Sequence, residues 1–233
     1  MSTFVFVHGS WHGGWCWQKL TPLLRQAGHT VYTPTLTGLG ERSHLLTQEV
    51  GLYTHIRDIV QVLEYEDLRQ VILVGHSYGG AVISGVAEEV AHRLERLVFL
   101  DAVIPEDGQT VFDSLPVLRE SFERRVLPGG WLDAPLDPES MGVTDVGEVS
   151  WMKARLCPMP FLTHQQPLRL LNADAKSLPR SYVRCTQWPL TEALAQRAKA
   201  MGWDYHEVHC GHDAMVIVPQ ELAQVLMACA TTS

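Results

Sequence analysis

The sequence VILVGHSYGGAVI over residues 71–83 constrains the fold more than any other stretch of this chain. Its first four residues are apolar and mostly β-branched, which predicts a strand buried on both faces, and a run of small residues that predicts a helix follows at once. Ser77 lies between them, with Gly75 and Gly79 two positions away on either side. A direct strand-to-helix turn strains the central residue, and side chains two positions away would clash there. The pattern therefore predicts a nucleophile elbow that lifts the Ser77 hydroxyl above the start of the helix.

Length and composition limit the fold class, the binding partners and the cellular compartment of the protein. The chain has 233 residues, of which 46% are hydrophobic, enough for the large core of one α/β domain. Its net charge of −8 and the lack of a basic patch argue against nucleic acid or an anionic membrane as a partner. The chain has no apolar run of bilayer length, and because the first predicted strand begins at Thr3 we expect no signal peptide before the fold. The five scattered cysteines predict free thiols in a reducing compartment, so we expect a cytoplasmic protein: Cys16, Cys157, Cys185, Cys210 and Cys229.

Strand and helix patterns alternate along most of the chain. Short apolar runs predict strands near residues 3–7, 30–33, 71–74, 97–100, 181–186 and 205–208, and amphipathic stretches predict helices near 17–28, 52–63, 190–201 and 222–229. Such alternation predicts an α/β fold with a mainly parallel sheet and helices on both faces. Chemistry in such folds takes place at the carboxyl ends of the strands. Ser10, Ser77, Asp101 and His212 each follow a predicted strand there.

Residues 105–179 interrupt this alternation. They contain nine of the 13 prolines and only short apolar runs without a clear period. That composition predicts an inserted cap of short helices and loops, without further sheet. We therefore expect a core formed by residues 1–104 and 180–233, with the cap inserted at 105–179.

His212 is the predicted base for Ser77. A serine hydroxyl is a weak nucleophile that needs a base within hydrogen-bond reach, and the chain order after an elbow of this type is serine, acid, histidine. His212 lies in the loop after the last predicted strand. His206, His209 and Cys210 suggest a metal site instead, but residues three apart on a strand point to opposite faces. We therefore expect no metal.

Two backbone N–H groups are predicted to stabilise an oxyanion. One belongs to Tyr78, directly after the nucleophile, and the other lies in the glycine-rich loop after the first strand. In that loop the predicted donor is the Ser10 N–H, with Trp11 as the neighbouring candidate.

Three segments of the sequence resemble a known family. The segments FVHGSWHGGW at residues 6–15, LLRQAGH at 23–29 and VILVGHSYGG at 71–80 are similar to α/β-hydrolases that include plant salicylate-type methylesterases, polyneuridine aldehyde esterase, hydroxynitrile lyases and bacterial esterase relatives. The resemblance spans nearly the whole chain and is weak through the cap. It implies a six-stranded, mainly parallel sheet under a small cap, no cofactor, and often a homodimer.

Two positions depart from the lyases of that family. The lyases carry threonine and lysine where this chain has Gly9 and Asp213, respectively. The resemblance assigns the lysine to the cyanide leaving group, so its replacement disfavours lyase chemistry.

The acid of the triad also departs from the family pattern. The usual acid follows the strand predicted at 181–186, where this chain has Trp188. Asp101 resembles the alternative acid of lipases and some haloalkane dehalogenases, at the end of the neighbouring strand. The alternative is that Asp101 only caps the turn that follows the strand, a role that Asp commonly has. Asp107 and Glu192 are weaker candidates.

The sequence thus predicts a serine carboxylesterase that hydrolyses small hydrophobic or aromatic esters through an acyl-enzyme intermediate. Ser77, His212 and Asp101 form its triad. The alternatives are a hydroxynitrile lyase-like or other non-hydrolytic enzyme, and a slow-turnover ligand-binding protein, which Trp188 at the usual acid position suggests.

An apolar substrate pocket is predicted from aromatic residues of the cap. Trp131, Trp151 and Phe161, together with Trp11, are its candidate residues. The alternative is that the cap residues only fill the interior of the cap, as most buried aromatic side chains do.

Overall fold

The computed structural model describes residues 1–231, so residues 232 and 233 of the predicted core lie outside the described residues. The strands are Thr3–Val7 (β1), Thr30–Tyr32 (β2), Val71–His76 (β3), Leu94–Leu100 (β4), Leu132–Asp133 (β5), Met159–Pro160 (β6), Arg180–Cys185 (β7) and Asp204–Val208 (β8). The α-helices are Leu20–Gln26 (α1), Leu52–Tyr65 (α2), Gly79–Val90 (α3), Val111–Ser114 (α4), Pro116–Arg124 (α5), Val146–Lys153 (α6), Leu162–Gln165 (α7), Ala173–Ser177 (α8), Glu192–Ala200 (α9), Ala214–Ile217 (α10) and Pro219–Cys229 (α11).

Six strands form one parallel sheet in the order β2-β1-β3-β4-β7-β8, which confirms the predicted fold class. The elbow strand β3 lies near the middle, between β1 and β4. Val7 is in register with Gly75, and His76 with Leu100, so these three strands end at one edge of the sheet. The residues that follow them therefore converge at that edge.

Alternate residues of the central strands pack on opposite faces of the sheet. Val7 and Leu73 belong to the core on the face covered by α2 and α3, whereas Phe6 and Val74 belong to the core on the face covered by α1 and α11. A slip of one residue would move each side chain to the other face, so the two cores together fix the register of the strands.

The segment between β4 and β7 contains the short helices α4 to α8. It also contains strands β5 and β6, which pair in antiparallel fashion. The prediction of a cap without sheet was wrong in this respect, because strands of two residues leave no alternating pattern in a sequence. The boundaries at residues 105 and 179 stay a prediction. Among residues 1–231, every helix is too short or too polar to cross a bilayer.

Two glycines of α3 lie where the helix packs closely against neighbouring residues. A Cβ at Gly80 would lie 2.2 Å from the backbone oxygen of Val103, and a Cβ at Gly85 would lie 2.2 Å from Cδ1 of Ile56. We expect Gly80→Ala to lower the free energy of unfolding by about 2–3 kcal/mol, because a backbone oxygen cannot move aside. Gly85→Ala should cost at least about 1 kcal/mol less, because the end of the Ile56 side chain can rotate away from the new methyl group. Urea unfolding of both variants measures the difference, and equal costs would contradict this packing argument.

Candidate active site

Ser77 occupies a strained turn between β3 and α3. Its φ angle is 55°, in the left-handed region that non-glycine residues rarely adopt. A Cβ at Gly75 would lie 2.5 Å from the Gly79 oxygen, and a Cβ at Gly79 would lie 2.6 Å from the oxygen of Val7. The Ser77 N–H donates to the Leu100 oxygen at 3.2 Å. The turn is therefore held against its neighbours and has room only for glycine on both sides.

Asp101 binds the imidazole of His212. It directly follows β4, is fully buried and has a φ of 45°. Its Oδ2 lies 2.6 Å from His212 Nδ1, and its Oδ1 accepts from the Thr191 hydroxyl at 2.6 Å and from the Cys185 N–H at 3.2 Å. Since a carboxylate only accepts hydrogen bonds, His212 donates through Nδ1 and keeps its Nε2 free to take a proton.

The structure does not bring the weaker acid candidates to His212. Asp107 accepts from the N–H of Leu170, and Glu192 pairs with Arg184. Neither is among the residues that line the cavity at Ser77.

Trp188, at the position of the usual acid, stacks on His212. The two rings are 4.8 Å apart between centroids and inclined by 23°. The indole thus covers one face of the imidazole, while Asp101 fixes the direction of its Nδ1–H. Together they leave the ring little freedom to rotate.

Ser77, Asp101 and His212 line one small cavity of about 30 Å³. This is enough space for a water molecule and far less than the volume of a typical ligand pocket. The rest of its lining comprises Ser10, Trp11, Val103, Leu115, Leu118, Phe122, Leu136, Trp188, Leu190 and Thr191. Sequence reasoning missed the apolar residues from the inserted segment, because no motif or spacing marks them.

The predicted pocket needs correction at three positions. Trp131 and Phe161 line a separate surface depression, and Trp151 packs edge-on against Trp15 with centroids 5.0 Å apart. Of the four predicted pocket residues, Trp11 lines the cavity at Ser77. The composition of the segment identified its aromatic residues but contains no information on the direction in which each one faces.

His8 fixes the peptide that includes the Ser10 N–H. Its Nε2 accepts from the Leu36 N–H at 3.1 Å, so its Nδ1–H donates to the Gly9 oxygen at 2.9 Å. Burial lowers the pKa of His8 to about 3 and keeps the ring neutral. The C=O and N–H of a trans peptide point in opposite directions. Holding the Gly9 oxygen therefore also fixes the direction of the Ser10 N–H.

Tyr78 is anchored in a similar way behind the elbow. His55 Nε2 lies 2.9 Å from the Thr37 oxygen and therefore donates to it, which leaves Nδ1 to accept from the Tyr78 hydroxyl at 2.9 Å. Burial lowers the pKa of His55 to about 4. This arrangement holds in place the side chain of Tyr78, the residue that directly follows Ser77.

Trp11 is held by the inserted segment. Its φ is 66°, and its indole N–H donates to Asp133 Oδ2 at 3.0 Å. Arg125 binds the same oxygen at 3.0 Å. Burial raises the pKa of Asp133 to about 6, although both partners act to lower it. No sequence signal linked Asp133 to the loop after β1, because 122 residues separate it from Trp11.

A third buried carboxylate lies directly after His212. Asp213 Oδ1 is 3.4 Å from His12 Nε2, and both residues are almost fully buried. Burial alone would raise the pKa of Asp213, but the nearby charge of His12 lowers it to about 2. Burial would lower the pKa of His12, and Asp213 raises it. His12 also donates through Nδ1 to the Ser10 oxygen at 2.7 Å, so this ion pair joins the loop after β1 to the loop after β8.

Comparison with known proteins agrees with this geometry. The model of the alpha/beta hydrolase family matches residues 4–225. The chain belongs to this family. It is 39% identical to the carbendazim hydrolyzing esterase of Nocardioides sp. (strain SG-4G), over 98% of this chain and 99% of that protein. It is 25% identical to Methylesterase 2 of Arabidopsis thaliana, over 97% and 95% of the two chains.

A solved structure shows the same architecture. An extracellular alpha/beta-hydrolase from a Paenibacillus species superposes with a TM-score of 0.86 at 29% identity, covering 98% of each chain. That protein is described as sharing structural and functional homology with the tobacco salicylic acid binding protein 2. The resemblance to plant methylesterases and bacterial esterases that the sequence motifs indicated is therefore confirmed.

The charge of Asp213 predicts a pH-dependent contribution to stability. A folded pKa of about 2, against 3.8 for a free carboxyl, contributes roughly 2 kcal/mol above pH 4, which is lost as the pH falls towards 2. We expect Asp213→Asn to lower the free energy of unfolding at pH 6 and to differ less from the wild type at pH 3. Urea unfolding at both pH values measures this. The exposed-carboxylate variant Glu95→Gln serves as control, and a constant difference for Asp213→Asn would contradict the ion pair.

Proposed function

We propose that this chain is a serine carboxylesterase. The observation that supports this most is the 2.6 Å hydrogen bond between Asp101 and His212, in the same small cavity as Ser77 on its strained turn. A nucleophile, a base and an acid that orients the base are the three parts that acyl transfer needs. The names of the relatives agree, since they include a carbendazim hydrolyzing esterase and plant methylesterases.

In the proposed mechanism Ser77 attacks the ester carbonyl while His212 Nε2 takes its proton. Asp101 holds the imidazole tautomer and stabilises the imidazolium that forms. The N–H groups of Ser10 and Tyr78 stabilise the oxyanion of the tetrahedral intermediate. His212 then protonates the departing alcohol, and water activated by the same ring hydrolyses the acyl-enzyme.

The proposed substrates are small hydrophobic or aromatic esters. The cavity of about 30 Å³ accepts an aromatic ester only if the apolar side chains above it move. Leu118 and Phe122 of α5, together with Leu115 just before it, form part of that lining. Carbendazim is the first individual compound to test, given the 39% identical carbendazim hydrolyzing esterase.

The lyase alternative has little support. The position of the lyase lysine is taken by Asp213, whose carboxylate is buried against His12. The slow-turnover alternative rested on the missing acid at Trp188, and Asp101 supplies a carboxylate from the neighbouring strand. Failure to turn over any ester would nevertheless return attention to ligand binding.

A cytoplasmic location is also a proposal. All five cysteines are free and four of them are buried, which is typical of a reducing compartment. The related Paenibacillus protein is extracellular, so fractionation of the source cells is the direct test. A homodimer is proposed from the family resemblance alone, and sedimentation velocity tests it.

We expect Ser77→Ala to lower kcat/KM for p-nitrophenyl acetate and butyrate more than about 10³-fold, because it removes the nucleophile. Ser84→Ala, on the following helix, is the matched control and should retain activity. Circular dichroism checks folding. Turnover that survives in Ser77→Ala would contradict the proposed function, and comparison with the octanoate ester measures how far the cavity opens.

We expect Asp101→Asn to lower kcat by up to about 10⁴-fold, because an amide no longer enforces the tautomer in which His212 Nε2 is free. Asp107→Asn and Glu192→Gln, at the two alternative acid positions, should leave kcat nearly unchanged. Steady-state kinetics with p-nitrophenyl acetate distinguishes the three. Unchanged activity in Asp101→Asn would overturn its assignment as the acid.

A further inference from the structure

A chain of buried hydrogen bonds leads away from Ser10. Its hydroxyl lies 3.1 Å from His164 Nε2, and His164 Nδ1 lies 2.8 Å from the Thr163 hydroxyl. Thr163 in turn donates to the Pro160 oxygen at 2.6 Å. All three side chains are buried, and His164 is packed between the rings of Tyr78 and Phe122, with centroids 4.9 and 4.4 Å away.

The direction of every proton in this chain follows from its last link. A carbonyl oxygen only accepts, so the single proton of the Thr163 hydroxyl points to Pro160. Thr163 must then accept from His164 Nδ1–H. Burial lowers the pKa of His164 to about 3, so the ring is neutral and its Nε2 has no proton. The Ser10 hydroxyl therefore donates its proton to Nε2.

This leaves Ser10 Oγ as an acceptor next to the proposed oxyanion hole. Ser10 lines the cavity at Ser77, and its own N–H is the proposed oxyanion donor. Its hydroxyl proton is taken up by His164, so the remaining lone pairs of Oγ can only accept. A group bound beside the oxyanion will be favoured if it presents a donor there.

We propose that Ser10 Oγ accepts an N–H on the acyl side of the substrate, so that the enzyme favours carbamate esters, R–NH–C(=O)–OR′. The proposal rests on the proposed serine esterase function and specifies its substrate class. An ester or carbonate places carbon or oxygen where the carbamate has N–H, and neither atom donates. His164 and Thr163 are positioning residues, which act on the substrate only through the proton of Ser10.

The covalent step follows the proposed mechanism and needs no further reactant. The Ser77 Oγ–C bond forms, the C–OR′ bond breaks, and the Ser77 proton passes through His212 to the alcohol R′OH. Ser77 then has a carbamoyl group, R–NH–C(=O)–. Water releases it as the carbamic acid, which loses CO₂ to give the amine R–NH₂.

The test compares two substrates that differ only in the group under question. 4-Nitrophenyl N-methylcarbamate has N–H where 4-nitrophenyl methyl carbonate has oxygen, and both release 4-nitrophenol on acylation. The second-order rate constant of that release gives a carbamate-to-carbonate ratio for each variant. Comparing this ratio between variants cancels the difference in intrinsic reactivity of the two substrates. Spontaneous release is subtracted at the same pH.

We expect Ser10→Ala to lower this ratio about 3- to 10-fold, the effect of losing one hydrogen bond. Thr163→Val should lower it similarly while leaving Ser10 in place. Without the Thr163 oxygen to accept from Nδ1, His164 Nε2 becomes the protonated atom and donates to Ser10 Oγ, which turns the Ser10 proton towards the cavity. Ser114→Ala, a hydroxyl deletion elsewhere in the inserted segment, is the control and should keep the wild-type ratio.

The two proposals fail in different ways. If the wild type shows no turnover of p-nitrophenyl acetate that depends on Ser77, the proposed function itself is overturned. If that turnover is present and the carbamate-to-carbonate ratio is the same in wild type, Ser10→Ala and Thr163→Val, the assignment to Ser10 is overturned alone. Circular dichroism and thermal unfolding check that both variants are folded, and a fall of the ratio in both folded variants supports the proposal.

Discussion

The structure depends on the strain held at the carboxyl ends of three adjacent strands. Trp11, Ser77 and Asp101 have φ angles of 66°, 55° and 45°, and they follow β1, β3 and β4. Each such residue costs about 1–3 kcal/mol. Hydrogen bonds from the sheet hold two of them in place, since the Ser77 N–H binds the Leu100 oxygen and the Asp101 N–H binds the Val183 oxygen at 2.7 Å. A parallel sheet with both faces buried is rigid enough to maintain three strained residues side by side.

Sequence reasoning succeeded where local pattern and physical constraint coincide. The elbow around Ser77 could be predicted because two glycines and a buried strand leave few other structures, and the sheet followed from alternating strands and helices. The position of Asp101 and His212 at one edge followed from the predicted parallel strands, but their pairing was expected only through resemblance, because 111 residues separate them. The directions in which the Trp131 and Trp151 side chains point could not be predicted. They depend on how the short helices pack, and the sequence of this segment has no hydrophobic period that indicates it.

Buried histidines determine how the site presents its donors and acceptors. His8, His55 and His164 are neutral because burial lowers the pKa of each, and a fixed partner decides which nitrogen has the proton. His12 is the opposite case, since the carboxylate of Asp213 raises its pKa. Identical side chains thus act as a rigid donor, a rigid acceptor or half of an ion pair. The difference lies in the neighbouring polar atom, which sequence spacing does not reveal.

Stacking of Trp188 on His212 has a consequence for spectroscopy. An indole in contact with an imidazole is quenched more strongly when that ring is protonated, because the imidazolium accepts an electron from the excited indole. Trp188 is therefore an intrinsic fluorophore placed on the proposed base, with its ring centroid 4.8 Å from that of His212. The chain has seven tryptophans, and the difference in fluorescence between the wild type and Trp188→Phe is the emission of Trp188. That emission reports the charge of His212 without any label.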